Sequence, residues 1–200
     1  MTNNVGRPRT VEREAALAGA MRQFRTRGYE ATSMKDLERA TGLLPGSLHH
    51  GFGGKQKLFL AALDHYNERV VRVRIATYLK GEAPVEEIRA LFRSTLDEPG
   101  GGHLGCLLTN TAVELSKTDK AVANKVQEGF EALRAAFEVQ SRRIASSKRR
   151  PRKGPTHAST ALRLLHAYQG LLVLVRFGYP RAELLALVDT IVDDIFGGRT

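Results

Sequence analysis

The stretch Ser33-Met34-Lys35-Asp36-Leu37-Glu38-Arg39-Ala40-Thr41-Gly42-Leu43-Leu44-Pro45-Gly46-Ser47-Leu48-His49-His50 decides the fold. Ser33 reads as an N-cap, because a serine oxygen accepts a hydrogen bond from the unpaired N–H groups of a first helical turn. Asp36, at the third helical position, puts negative charge where the helix dipole favours it. The helix so begun runs from Met34 to Ala40 and stops at Thr41-Gly42-Leu43, a three-residue turn in which Gly42 supplies the positive φ that side-chain-bearing residues resist. A second short helix starts near Pro45, a residue tolerated in a first turn because the N–H it lacks would be unpaired there anyway. Two short helices across a tight glycine turn form the helix-turn-helix arrangement.

Outward from this pair, apolar residues recur at helical spacing almost throughout, and strand signals are nearly absent. A helix is expected from Thr10, its N-cap, to Arg27, with Glu12 and Glu14 in the first turn and Ala16, Leu17, Ala20, Met21 and Phe24 as its buried stripe. Arg13 at its third position precludes a full capping box, and Gly28 ends it. On the other side Lys55 opens a long exit helix to about Lys80, carrying Leu58, Phe59, Ala62, Leu63 and Tyr66 at core spacing. Gly81 and Pro84 break it. Helices are then expected over 85–96, 104–117, 119–146, 157–178 and 181–196, with no repeat of 20–50 residues. The expected fold is all-α with about nine helices. A three-helix helix-turn-helix DNA-binding domain occupies 1–55, and a larger helical effector-binding and dimerisation domain occupies 56–200.

The 200 residues are 42% hydrophobic, 26% charged and 6% aromatic, which excludes disorder and collagen. No apolar run approaches the roughly 18 uncharged residues of a membrane span, and the N-terminus has no apolar stretch behind its charge, so a cytoplasmic protein without membrane contact is expected. Net charge is +10 and unevenly placed: residues 1–57 carry ten Lys/Arg against five Asp/Glu, and 142–153 carry seven against none. A basic N-terminal block on an otherwise near-neutral chain is the footprint of a polyanion binder. The second cluster contains Ser-Ser-Lys-Arg-Arg-Pro-Arg-Lys-Gly-Pro, with nothing apolar to pack, so 148–156 is expected to be a basic flexible loop, either a solvated connector or an extra contact with nucleic acid. The chain has no P-loop, no dinucleotide fingerprint after a strand, no His-Glu-x-x-His and no Gly-x-Ser-x-Gly, so no enzyme is expected. No cofactor or metal is expected either.

The segments Gly28-Tyr29-Glu30-Ala31-Thr32-Ser33, Ala40-Thr41-Gly42-Leu43 and Gly46-Ser47-Leu48-His49-His50-Gly51-Phe52-Gly53-Gly54-Lys55-Gln56-Lys57-Leu58-Phe59 closely resemble the DNA-binding domain of the TetR family of bacterial transcriptional regulators. The match covers about residues 7–66. Gly105-Cys106-Leu107-Leu108, followed by Asn110 and Glu114, looks like a segment found in a subset of that family. The resemblance implies a repressor: a homodimer whose N-terminal domains read a palindromic double-stranded operator, and whose larger domains bind a small-molecule effector that releases it. A non-specific architectural nucleic-acid binder is the alternative that basic charge alone would satisfy.

Within that frame Leu44 to His50 is the expected recognition helix. Leu44, Pro45 and Gly46 would lie against DNA; Ser47, His49 and His50 have donors and acceptors for base edges and phosphates. Thr32 and Ser33, at a helix start, would offer a hydroxyl and N–H groups to phosphate, and Lys55 would add a cation. Family members usually have Tyr where this chain has His49, so base preference does not transfer. The adjacent histidines point about 100° apart on a helix and do not make a metal pair. For the effector, Leu107, Asn110, Thr111, Glu114, His166, Tyr168, Gln169 and Arg176 are candidates, being polar or wall-forming positions on the expected central helices. An equal reading has the polar ones bracing helices. Cys106, the single cysteine, is a small buried hydrophobe by its leucine flanks. Its place near a helix start would lower a thiol's pKa, so an oxidant- or electrophile-sensing repressor is the alternative.

Overall fold

A computed structural model describes residues 9–97, 104–115, 119–147 and 155–196. Helix α1 spans Arg9–Arg27, α2 Met34–Thr41 and α3 Pro45–Phe52. The exit helix is α4, Lys55–Tyr66, continued by a π-helical stretch Asn67–Arg72 into α5, Val73–Tyr78. Then come α6, Pro84–Arg93, with a 3₁₀ turn Ser94–Leu96; α7, Leu107–Leu115; α8, Lys120–Ser147; α9, His157–Phe177; and α10, Arg181–Phe196. With the exit rod counted once, the described residues form nine helices, and no strand occurs among them. Helix α1 begins at Arg9, so Thr10 lies inside it and does not precede it. The basic segment 148–153 lies outside the described residues.

The α1–α4 unit is held by local rules. Ser33 Oγ accepts from the Asp36 N–H at 3.1 Å and the Asp36 carboxylate accepts from the Ser33 N–H at 2.9 Å, a reciprocal capping box with aspartate in the glutamate position. Gly42 closes α2 at φ 71°, its N–H returning to Glu38 O. Phe24, Leu37, Leu48, Leu58, Phe59 and Leu63 are almost fully buried between these helices. Phe59 meets Phe24 edge-on with centroids 4.7 Å apart, and Tyr29 at 4.8 Å, the offset arrangement aromatic quadrupoles favour.

In the larger body α8 is the central post, packed by α9, α7, α6 and the exit rod. Phe92, Phe137 and Tyr168 form its aromatic centre, Phe92 and Tyr168 meeting edge-on at 5.2 Å. Arg89 ties α6 to α10 through Asp189 and Asp193, each at 2.8 Å. Helix α9 is long and apolar enough, by length and composition, to cross a membrane, contrary to the reading from uncharged runs alone. It packs as a core helix, with Ala161, Leu164, Tyr168, Leu171, Leu172 and Val175 buried.

Candidate functional site

Helix α3 is positioned by one buried anchor and presents the rest of itself to solvent. Leu48 is buried, whereas Leu44, Pro45, Gly46, Ser47, His49, His50 and Gly51 are exposed, Leu44 at 76%. Leu44 is the N-cap residue and Pro45 the first helical residue. At the far end Arg13 of α1 donates to Gly51 O at 3.1 Å and stacks 4.5 Å over the Phe52 ring, while Gly53 closes the helix at φ 77°. No acidic residue occurs from Leu43 to Lys57. A one-helix ridge with exposed donors, two glycines that leave open space at Gly46 and Gly51, and no carboxylate is shaped for a groove walled by phosphates. Lys55 is half-buried, its ammonium 4.3 Å over the Tyr29 ring, so its stem is fixed at the edge of this surface.

The donors of Thr32 and Ser33, expected to face phosphate, are engaged within the chain. Thr32 is buried, and its hydroxyl donates to Gly28 O at 2.6 Å, serving the end of α1. Both Ser33 donors go to Asp36, the hydroxyl at 2.6 Å and the N–H at 2.9 Å. The Asp36 carboxylate thus already occupies the anion position at the start of α2. Hydrogen bonds from Ser33 and Arg39 and the nearby Arg27 hold it ionised far below the usual carboxylate range.

The effector candidates do not converge. Leu107 and Thr111 are buried in the core beneath α7. Glu114 faces α1, accepting the N–H groups of Tyr29 and Glu30 at 3.0 and 2.7 Å, and Asn110 donates weakly to Arg25 O at 3.4 Å. Gln169 accepts from Thr109 at 2.5 Å. His166 is exposed in a surface groove of about 620 Å³ between α9 and α10, with Leu162, Arg163, Ile191, Asp194 and Ile195. An internal cavity lies elsewhere. Tyr66, Val70, Val71 and Arg74 from the exit rod, Cys106, Leu133 of α8, and Tyr168 and Leu172 of α9 enclose about 10 Å³, room for one water. Arg74 donates to the Tyr168 hydroxyl at 3.3 Å. Cys106 is buried, with the Tyr66 hydroxyl 3.6 Å from Sγ, and burial pushes that phenol well above its usual range, so it stays a neutral donor. Of the sequence candidates, Cys106 and Tyr168 reach this cavity.

Helical spacing would pair two chains through Ala161, Leu165, Leu172 and Val175, with Gly170, on α9 and Leu184, Leu187, Val188, Ile191, Val192 and Ile195 on α10. Ala161, Leu172, Val175, Leu184, Val188, Val192 and Ile195 are buried within one chain. The outward stripe of α9 is instead Leu162, His166, Gly170, Val173 and Phe177, of which Leu162, Val173 and Phe177 are 59%, 51% and 81% exposed. Their spacing of three to four residues keeps them on one face. Nothing lies within 4 Å of a Cβ added at Gly170.

A helix-turn-helix head with a bare, carboxylate-free ridge, joined by a rod to an all-helical body, defines a DNA-binding transcriptional regulator. The comparisons with known proteins agree. The model of the tetR family of bacterial regulatory proteins matches residues 16–62. The HTH-type transcriptional repressor ComR of Escherichia coli K12 is 30% identical over 193 residues, 92% of this chain and 89% of ComR. The regulator CifR, solved as a cysteine mutant with a 26-base-pair operator duplex, superposes with a TM-score of 0.78 at 29% identity, over 93% of this chain and 98% of CifR. A TetR regulator from Chloroflexus aurantiacus gives 0.80 at 27%, over 94% and 96%. The chain belongs to the TetR family.

Proposed function

We propose that the chain is a repressor that binds a palindromic operator as a homodimer in the cytoplasm and lets go when a small molecule enters its helical body. The observation that carries this is the α3 ridge: Leu44, Pro45, Gly46, Ser47, His49 and His50 exposed together around a buried Leu48. Lys55 stands at its edge, half-buried under its own cation–π contact. The functional division falls near residue 55, with reading before it and regulation and dimerisation after it. The α9 stripe supports dimerisation, since apolar side chains gathered on one face of an otherwise packed helix mark an association surface. It would build a four-helix bundle with α10 and their symmetry mates. The cavity beside Tyr66, Arg74 and Tyr168 is the place for an effector, which must enlarge it, because ligand sites occupy about 300–1,000 Å³.

Selection from a random duplex library tests the reading. An inverted repeat with half-site centres about one helical turn apart should be enriched and bound by two chains. Recovery of no repeat, with equal affinity for all duplexes at fixed salt, would instead indicate an architectural binder. A second reading makes Cys106 the receptor of an electrophile. It is supported by the position of Sγ in the cavity lining beside the Tyr66 hydroxyl.

A further inference from the structure

The C-terminal end of α1 is gripped from outside the reading head by groups of opposite sign. A helix leaves its last carbonyls without intrahelical partners and carries partial negative charge there. Gly28 N–H takes Phe24 O at 2.8 Å. The next two carbonyls are taken by Arg176, near the end of α9: Nη1 donates to Arg25 O at 2.7 Å and Nη2 to Thr26 O at 3.2 Å, and Nη1 also reaches Leu104 O at 2.9 Å. Just beyond, where the chain turns toward α2, the N–H groups of Tyr29 and Glu30 converge on the Glu114 carboxylate of α7. That approach needs glycine at 28, whose φ is 83° and whose added Cβ would lie 2.8 Å from Glu114 Oε2. In the reverse direction the buried Arg25 guanidinium leaves α1 and donates from Nε to Gly105 O at 2.7 Å.

We propose that Arg176, Glu114 and Arg25 form a clasp that sets the angle at which α1, and with it α3, leaves the body, and so sets the half-site spacing the dimer accepts. They are positioning residues and touch no base. This rests on the reading of a dimer on a palindrome. Three observations carry it. Arg176 adjoins Phe177 of the outward α9 stripe, so the route from the pairing surface to α1 is one guanidinium long. The other route, the exit rod, is interrupted by its π-helical stretch. Arg25 binds the carbonyl of Gly105, the residue before Cys106, so the clasp and the cavity wall share a backbone segment, and enlarging the cavity moves both. Glu114 and Arg176 are themselves exposed, which lets the clasp open without unfolding the core.

The test uses the best inverted repeat selected by the wild-type protein, together with versions whose spacer is one or two base pairs longer or shorter. Glu114→Gln keeps the shape and removes the charge; Arg176→Lys keeps the charge and removes the fork that spans two carbonyls. Wild type should lose on the order of tenfold in affinity for each base pair added or removed, because each rotates one half-site about the duplex axis. The variants should lose about fivefold on the selected repeat yet discriminate among spacers by less than about threefold, with unchanged base preference within a half-site. A purely structural role would weaken all duplexes by one common factor alongside a lower melting temperature, and that result overturns the clasp alone. Failure to select any inverted repeat overturns the dimeric operator reading and the spacing role with it.

Discussion

Gly19 of α1 lies directly against the main chain of α2: a Cβ added there would stand 2.0 Å from Ala40 O. Backbone cannot yield as a flexible side chain does, so Gly19→Ala must push the two helices apart. Overpacking of this kind costs typically about 1–3 kcal/mol. A thermal melt should show the loss, and operator binding should weaken with it. A variant that melts and binds like wild type would mean that α1 and α2 have room to separate.

Lys55 offers a contrast between charge and specificity. Its removal in Lys55→Ala should weaken specific and random DNA alike and reduce the slope of log K against log salt by about one. Ser47→Ala and His50→Ala, on the exposed ridge, should cost more on the selected repeat than on random duplex. Titrations at several salt concentrations separate the two patterns.

The capping box makes the reading head sensitive to acid. Asp36 is ionised far below its unfolded range because Ser33 and Arg39 bond the carboxylate. Its folded pKa is therefore depressed, so its contribution is complete above the unfolded value of about 3.9 and is lost as pH falls toward the folded one. Asp36→Asn should melt below wild type at neutral pH, and the gap should close as the pH is lowered through about 4 to 2. A gap that stays constant over that range would show that Asp36 acts through shape alone.

Cys106 is 4% exposed and sits under the Tyr66 hydroxyl. A bulky disulfide reagent should label it slowly in the native protein and stoichiometrically once guanidinium unfolds the chain. Rapid native labelling accompanied by release of DNA would favour the electrophile-sensing reading. In that case Cys106→Ser should abolish release by the reagent.

What the sequence makes legible is local. The Ser33–Asp36 cap, the Gly42 turn and Pro45 at the first helical position each act within a few residues, so a reader of the chain finds them where the structure has them. Glu114 and Asn110 are different. Their partners are main-chain atoms 84 or more residues away, and a backbone N–H or carbonyl has no letter in a sequence. Polar side chains on central helices resemble pocket residues in sequence, and here these two hydrogen-bond the end of α1. Thr32 is alike, its hydroxyl donating to the main-chain Gly28 O. Arg74 is hidden from the sequence for a second reason, which lies in the exit rod.

Phe59, Ala62, Leu63 and Tyr66 mark a helical face that, carried on at 3.6 residues per turn, arrives at Val70 and Val73. The π-helical stretch Asn67–Arg72 delays that arrival: Asn67 and Val71 are buried, Val73 is 49% exposed, and Arg74 reaches the cavity wall. The rod thus carries a phase shift of about one residue between the half that supports α3 and the half that lines the cavity. The same residues run as uninterrupted α-helix from 67 to 72 would turn the lower half by about 100° relative to the upper. The guanidinium would then face away from Tyr168. The two halves answer to different neighbours, and the π-helical stretch, by absorbing one residue, is what lets one helix keep both appointments.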